Sequence, residues 1–398
     1  MSYTSRYWLY FALGLYLLSI AGTILTSPST TPTPDRPDTN NIQTTQSLKQ
    51  KQVVGFSLNV HYTDQLPKYF RAIDRVADLG CNSLQILTPA FQTHGASTQI
   101  SIPHKPGRSP HSDQLLKLLR YAQKRHLKTL LMPTILFTDP RGNEWRGKIS
   151  PQNWNAWWQQ YTTTMIHFAK LAQQARVNVF CVGSELLTTE RQTTRWTQLI
   201  AKIRNVYHGQ LIYSTNWDHY HVPTFWNQLD YIGISGYWSL PAPGSPDPGS
   251  GPSEIEDDGD HLDQISNLSP AQHTAFAKRW QSIQQTLQAF ATQTGKPILI
   301  TELGYPCLPW GLKDPWNYIH DAKTPATPNV QAMGYRAFTD NWQHLIKPNR
   351  PITADGFAGV MFYTSDPYNG GPKDPGYGVW GKPAQTIVKQ WLNPQTNP

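Results

Sequence analysis

Eight short, nearly continuous apolar runs recur between longer amphipathic segments, and this alternation limits the fold more than any other feature of the chain. The runs are VVGFSLNV (53–60), SLQIL (83–87), TLLMPTIL (129–136), VNVFCVG (177–183), QLIYSTN (210–216), YIGIS (231–235), PILITEL (297–303) and FAGVMFY (357–363). They are short, β-rich and apolar at consecutive positions, as parallel strands covered on both faces must be. Between them lie patterns of helical period. Residues 69–80 stop at Gly80, 112–126 open on Ser112 and Asp113, and 153–175 are entered through Ser150 and Pro151. Segments 193–207, 269–295 and 329–346 follow. Between the fifth and sixth runs only 222–229 offers a short helix. Eight such units predict an α/β fold, a (β/α)8 TIM barrel in a single domain. An open doubly wound sheet is the alternative, but neither a G-x-G-x-x-G nor a G-x-x-x-x-G-K-[ST] pattern occurs to support a nucleotide fold.

The amino terminus is organised differently. After Arg6, residues 7–26 carry no charge, and a helix of about 20 residues just spans a bilayer core of roughly 30 Å. Two readings stand, a signal peptide cleaved near Ala21 and Gly22 or a retained signal anchor. The length of the run and the lack of an A-x-A site favour the anchor. Either reading exports the rest of the chain, so an extracytoplasmic location is expected, with membrane attachment if the segment stays. The Pro-, Ser- and Thr-rich stretch that follows has almost nothing to bury and reads as a tether. The expected organisation is residues 1–27 as signal or anchor, 28–51 as disordered linker and 52–394 as the barrel.

Composition narrows the function. The net charge is +8, but Lys and Arg are scattered without a basic stripe, which argues against nucleic acid as a partner. The three cysteines, Cys81, Cys181 and Cys307, are too far apart for a zinc site. Cys181 lies in an apolar run and reads as a core residue, with one disulfide left open. Fifteen Trp and nineteen Tyr exceed what a core needs, and some are expected to line a cleft.

A barrel works where its strands end, at the carboxyl face. Two of only six glutamates stand there, Glu185 after VNVFCVG and Glu302 within ILITELGYP. A carboxylate emerging from an apolar strand is costly to desolvate unless it is paired or has a task. Opposed strands can aim two carboxyls across one cleft, the arrangement glycoside hydrolysis requires. Taken singly, each glutamate could instead be a buried ion-pair partner, for example of Arg146.

These residues also carry a resemblance. WRGKISPQNWNAWW (145–158), FCVGSELLTTE (180–190), ILITELGYP (298–306) and GGPKDPGYGVWGKPA (370–384) resemble glycoside hydrolase family 113 of the retaining clan A barrels, whose characterised activity is mainly endo-β-1,4-mannanase. The resemblance spans roughly residues 53–393 of the predicted barrel. It implies Glu185 as acid/base and Glu302 as nucleophile, a polysaccharide or oligosaccharide substrate and no cofactor. Retaining chemistry further implies carboxyls about 5–5.5 Å apart and a raised pKa for the acid. Many clan members place Asn before the acid/base to hold the sugar 2-hydroxyl. Here that position is Ser184, as the narrower family's small hydroxyl residue, and Asn216 at the fifth strand end is a candidate for the task.

Other candidates keep two readings. By the resemblance, Tyr237 hydrogen-bonds the nucleophile, and otherwise it is a packed aromatic. Trp238 offers a flat face to a pyranose. Arg146 either orients a substrate hydroxyl or fixes Glu185 by a charged hydrogen bond. Asn59 and His61 share one side of the first strand end, in reach of substrate or in solvent. At the eighth strand end, where the clan often has a Trp platform, Tyr363 or Trp380 would serve. His219 and His221 lack a third ligand at regular spacing and read as cleft lining. The acidic stretch 254–263 reads as a solvated insertion after the sixth strand. The expected reaction is hydrolysis of a β-linked polysaccharide, β-1,4-mannan first. The alternatives are another β-glycan or cell-envelope glycan, and a non-catalytic carbohydrate-binding barrel.

Overall fold

The computed structural model describes residues 50–241, 269–353, 356–368 and 370–393. The apolar segment 7–26, all but the last residues of the tether and the acidic stretch 254–263 lie outside the described residues. Among the described residues, no helix is long and apolar enough to cross a membrane.

Eight parallel strands close into a barrel in chain order: β1 (Val53–Asn59), β2 (Ser83–Gln92), β3 (Lys128–Phe137), β4 (Val179–Ser184), β5 (Gln210–Asn216), β6 (Tyr231–Ser235), β7 (Ile298–Leu303) and β8 (Phe357–Phe362). All eight apolar runs are strands. β1 is buried at every position, which explains its unbroken apolar pattern. Closure brings β1 tightly between its neighbours. A Cβ on Gly55 would lie 1.9 Å from the Ser83 carbonyl oxygen, and one on Gly359, whose φ is +140°, would lie 1.8 Å from that of Val53. Only glycine lets the first and last strands meet.

The helices are α1 (Leu66–Asp78), α2 (Ser112–Lys124), α3 (Trp154–Gln174), α4 (Thr193–Arg204), α5 (Pro270–Thr294), α6 (Pro328–Trp342) and α7 (Pro383–Leu392). Their boundaries follow local chemistry. Asn153 Oδ1 accepts the Ala156 N–H at 3.0 Å to start α3. At α5, Ser269 Oγ accepts the Gln272 N–H while Gln272 Oε1 accepts the Ser269 N–H, and Gly295 at φ +63° ends the helix. One expectation needs correction, and one helix lies outside the segments read as helical. Residues 222–229 supply only a 3-10 turn, Trp226–Gln228. The closing helix α7 follows β8 in a stretch whose Pro383 start gave too short an amphipathic pattern to stand out.

Side-chain alternation divides the apolar residues into two layers. Val54, Phe56 and Leu58 join the helix faces in the larger cluster. Val53, Leu130, Met132, Val179, Cys181, Ile212, Leu299 and Met361 form a smaller one that fills the barrel interior. A buried polar layer shares the inward faces: Gln85 Nε2 donates to Ser57 Oγ at 2.9 Å and to the Thr301 carbonyl at 2.8 Å, and Ser214 Oγ meets Thr301 Oγ1 at 2.6 Å. All three cysteines are buried free thiols.

Candidate active site

Both glutamates stand at the carboxyl ends of their strands, and in both places the ladder is irregular. The β4–β5 register shifts between Cys181 and Ser184, and the β6–β7 register shifts between Ile234 and Ser235, which faces Glu302. Such bulges re-aim side chains at a barrel rim. Glu185 also adopts φ +55°, the left-handed region that non-glycine residues occupy at a cost of roughly 1–3 kcal/mol. The Glu185 N–H is held there by the Ser214 carbonyl at 2.8 Å. Glu185 is 2 % exposed and Glu302 4 %.

Arg146, in the loop after β3, ties the two together. Its Nη2 donates to Glu185 Oε2 at 2.5 Å, the second of its two sequence readings. Burial opposes the Arg146 charge, but the Glu185 and Glu302 carboxylates outweigh it and raise its pKa, so all three groups share one electrostatic neighbourhood. Burial and the Glu185 charge push Glu302 up to about 7, against the pull of Arg146 and of Tyr237.

Tyr237 is buried and donates its hydroxyl to Glu302 Oε2 at 2.7 Å, so the packed-aromatic and hydrogen-bonding readings hold together. Glu302 Oε1 is buried without a hydrogen-bond partner among the described residues, as are Ser184 Oγ and Asn216 Oδ1. One glutamate oxygen is therefore held and the other left available, and a buried acceptor stands at the β5 end.

Around this pair the chain builds an aromatic wall. The ring of Tyr363 lies 6.4 Å from that of Tyr237 and 5.3 Å from that of Tyr377, and its hydroxyl accepts from Asn59 Nδ2 at 3.2 Å. Burial and the Glu302 charge raise the Tyr363 pKa well above the usual phenol range. Asn59 also donates its backbone N–H and side-chain amide to Asp366, whose carboxyl burial lifts to about 6. Its side chain is thus engaged by protein at the β8 end. His61 sits beyond it, with its pKa lowered to about 4 by burial and by Arg108.

Two expected contacts are corrected. Trp238 is buried in the layer between strands and helices, edge-on to Trp280 at 5.9 Å, because it follows Tyr237 by one residue and points the other way. Trp380 packs on Phe56 at 5.5 Å under the Arg75 guanidinium and donates to Ser365 Oγ, so it belongs to the core. His219 Nδ1 lies 3.2 Å from the Glu190 carboxylate, and His221 stands in the same loop against Tyr220.

Other residues at the site drew no comment from sequence. Trp217 and Trp316 stack at 5.1 Å and 20°, partly exposed, with Trp217 6.5 Å from Tyr237. Tyr318 senses both Arg146 and Glu185, with burial raising its pKa to about 12. Trp217 directly follows Asn216 at a strand end and had a findable signal. Trp316 and Tyr318 lie in the long connection after β7, which has no periodicity to read.

The description Glycoside Hydrolase Family 113 matches residues 61–346 of the chain. Among solved structures the chain is similar to a GH113 β-1,4-mannanase, at 22 % identity and a TM-score of 0.67, over 87 % of this chain and 100 % of that one. It is also similar to the GH113 β-mannanase AaManA from Alicyclobacillus acidocaldarius in complex with ManMIm, at 22 % identity and a TM-score of 0.68, over 86 % and 98 % of the two chains. No curated protein sequence matches.

Proposed function

The chain belongs to glycoside hydrolase family 113, and from that premise we propose that it is a retaining endo-β-1,4-mannanase working by double displacement. The observation that carries the reading is the pair of buried glutamates, from β4 and β7, gathered around one guanidinium with a single Glu302 oxygen unengaged. Glu302 attacks the anomeric carbon through that oxygen, while Tyr237 holds the other and stabilises the carboxylate. Glu185 gives its proton to the glycosidic oxygen as the bond breaks, then takes one from the water that releases the glycosyl-enzyme. The step needs one proton shared by two carboxyls. Glu302 must be ionised to attack, and burial with the Glu185 charge raises its pKa to about 7, so attack is favoured as pH rises through that value. Asn216 Oδ1 is placed to accept from a sugar hydroxyl, and Tyr363 with the Trp217–Trp316 pair offers faces for neighbouring rings. The uncharged run 7–26 supports an extracytoplasmic location for the barrel.

A panel of β-mannan, β-glucan and xylan, read by reducing-sugar release, tests the substrate, and NMR of the first products tests the stereochemistry. β-Mannan is expected to be cut with β-anomers formed first. Initial α-anomers, or activity confined to another polymer, would overturn the assignment, as would full activity in folded Glu302→Ala.

A further inference from the structure

We propose that Glu190 is a positioning residue that holds the acid/base, Glu185, in its working orientation by way of the Tyr213 hydroxyl. The inference rests on the role given to Glu185 above. Glu190 is completely buried, yet the reaction as described makes no use of it. A buried carboxylate persists only when hydrogen bonds replace its water. Here Tyr213 donates to Glu190 Oε1 at 2.9 Å, Thr215 to the same oxygen at 2.7 Å, and His219 Nδ1 approaches Oε2 at 3.2 Å.

The consequence lies one bond further on. A carboxylate only accepts, so the Tyr213 hydroxyl must point its proton toward Glu190. Its oxygen lone pairs are then turned to the Leu186 N–H, which donates to it at 3.1 Å. Leu186 immediately follows Glu185. The peptide before Glu185 is held by the Ser214 carbonyl and the peptide after it by Tyr213, so β5 grips both sides of a residue that sits at φ +55°. A left-handed glutamate relaxes unless its surroundings over-determine it. Removing Glu190 frees the Tyr213 hydroxyl to turn, weakens the second grip and lets the Glu185 carboxyl drift from the glycosidic oxygen.

Leaving-group chemistry separates positioning from a merely structural role. The full chain is assayed as wild type, Glu190→Ala, Glu190→Gln and Glu185→Ala on mannohexaose, whose leaving sugar needs a proton, and on 2,4-dinitrophenyl β-mannobioside, whose phenolate does not. For Glu190→Ala, kcat on mannohexaose is expected to fall about 100-fold with KM changed less than about threefold, while the pre-steady-state release of dinitrophenolate stays within about threefold of wild type. Glu190→Gln keeps an oxygen for Tyr213 and Thr215 and is expected to restore most of the loss. Equal losses on both substrates, or none on either, overturn the proposal. Should Glu190→Ala fail to fold by circular dichroism, Tyr213→Phe removes only the relaying hydroxyl and must give the same split between substrates. If Glu185→Ala shows no such split, the acid/base assignment itself is wrong, an outcome distinct from failure of Glu190.

Discussion

Burying Glu302 beside a second carboxylate has a thermodynamic consequence that isosteric replacement can measure. Its pKa rises from 4.5 to about 7 because burial and the Glu185 charge both oppose ionisation. The protonated form is therefore favoured by folding. The stability this represents is fully present below about pH 4.5 and is lost as pH rises through about 7. At about 1.36 kcal/mol per pH unit, the difference amounts to about 3 kcal/mol above pH 8. The side chain is 4 % exposed, so solvent screening does little to reduce it. Glu302→Gln keeps the shape and cannot ionise. It also places an amide nitrogen where one oxygen had no partner, a cost that does not change with pH. The test is therefore the change in ΔΔG between pH 4.5 and pH 8 from urea unfolding of the two proteins. The variant should gain about 3 kcal/mol relative to wild type over that interval. A ΔΔG independent of pH would refute the claim that the β7 carboxyl is destabilised by its place in the site.

Two further outcomes follow from the same geometry. Tyr237→Phe removes the donor that favours ionised Glu302, so the acidic limb of kcat/KM, expected from ionisation of Glu302 with its pKa of about 7, should move to higher pH as kcat falls about tenfold or more. An unmoved limb would show that the hydroxyl does not tune the pair. Trp380→Ala should cost about 3–5 kcal/mol of stability, the usual loss for a buried Trp, with KM nearly unchanged in the folded fraction, whereas Tyr363→Ala should raise KM. Thermal unfolding beside mannohexaose kinetics checks both.

The chain's linear pattern determined the architecture by itself. Eight buried parallel strands must read as short continuous apolar runs, since each faces the barrel interior on one side and a helix layer on the other. That signal is local and survives without knowledge of neighbours. The two glutamates were equally open to reading, because a charge at the end of an apolar strand is anomalous wherever the strand lies. Tertiary structure alone decided which of two readings each supporting residue takes. Tyr237 and Trp238 are adjacent aromatics with the same local signal, but one reaches Glu302 and the other enters the core, because successive side chains leave a strand end in opposite directions. Trp380 and Tyr363 were separated likewise by what packs against them, from β1 in one case and from the loop after β8 in the other. Arg146 reaches across 39 positions of sequence to Glu185, and Glu190 and the Leu186 N–H meet on one tyrosine hydroxyl of the next strand. Such couplings are set by distances in the folded barrel, and no spacing along the chain encodes them.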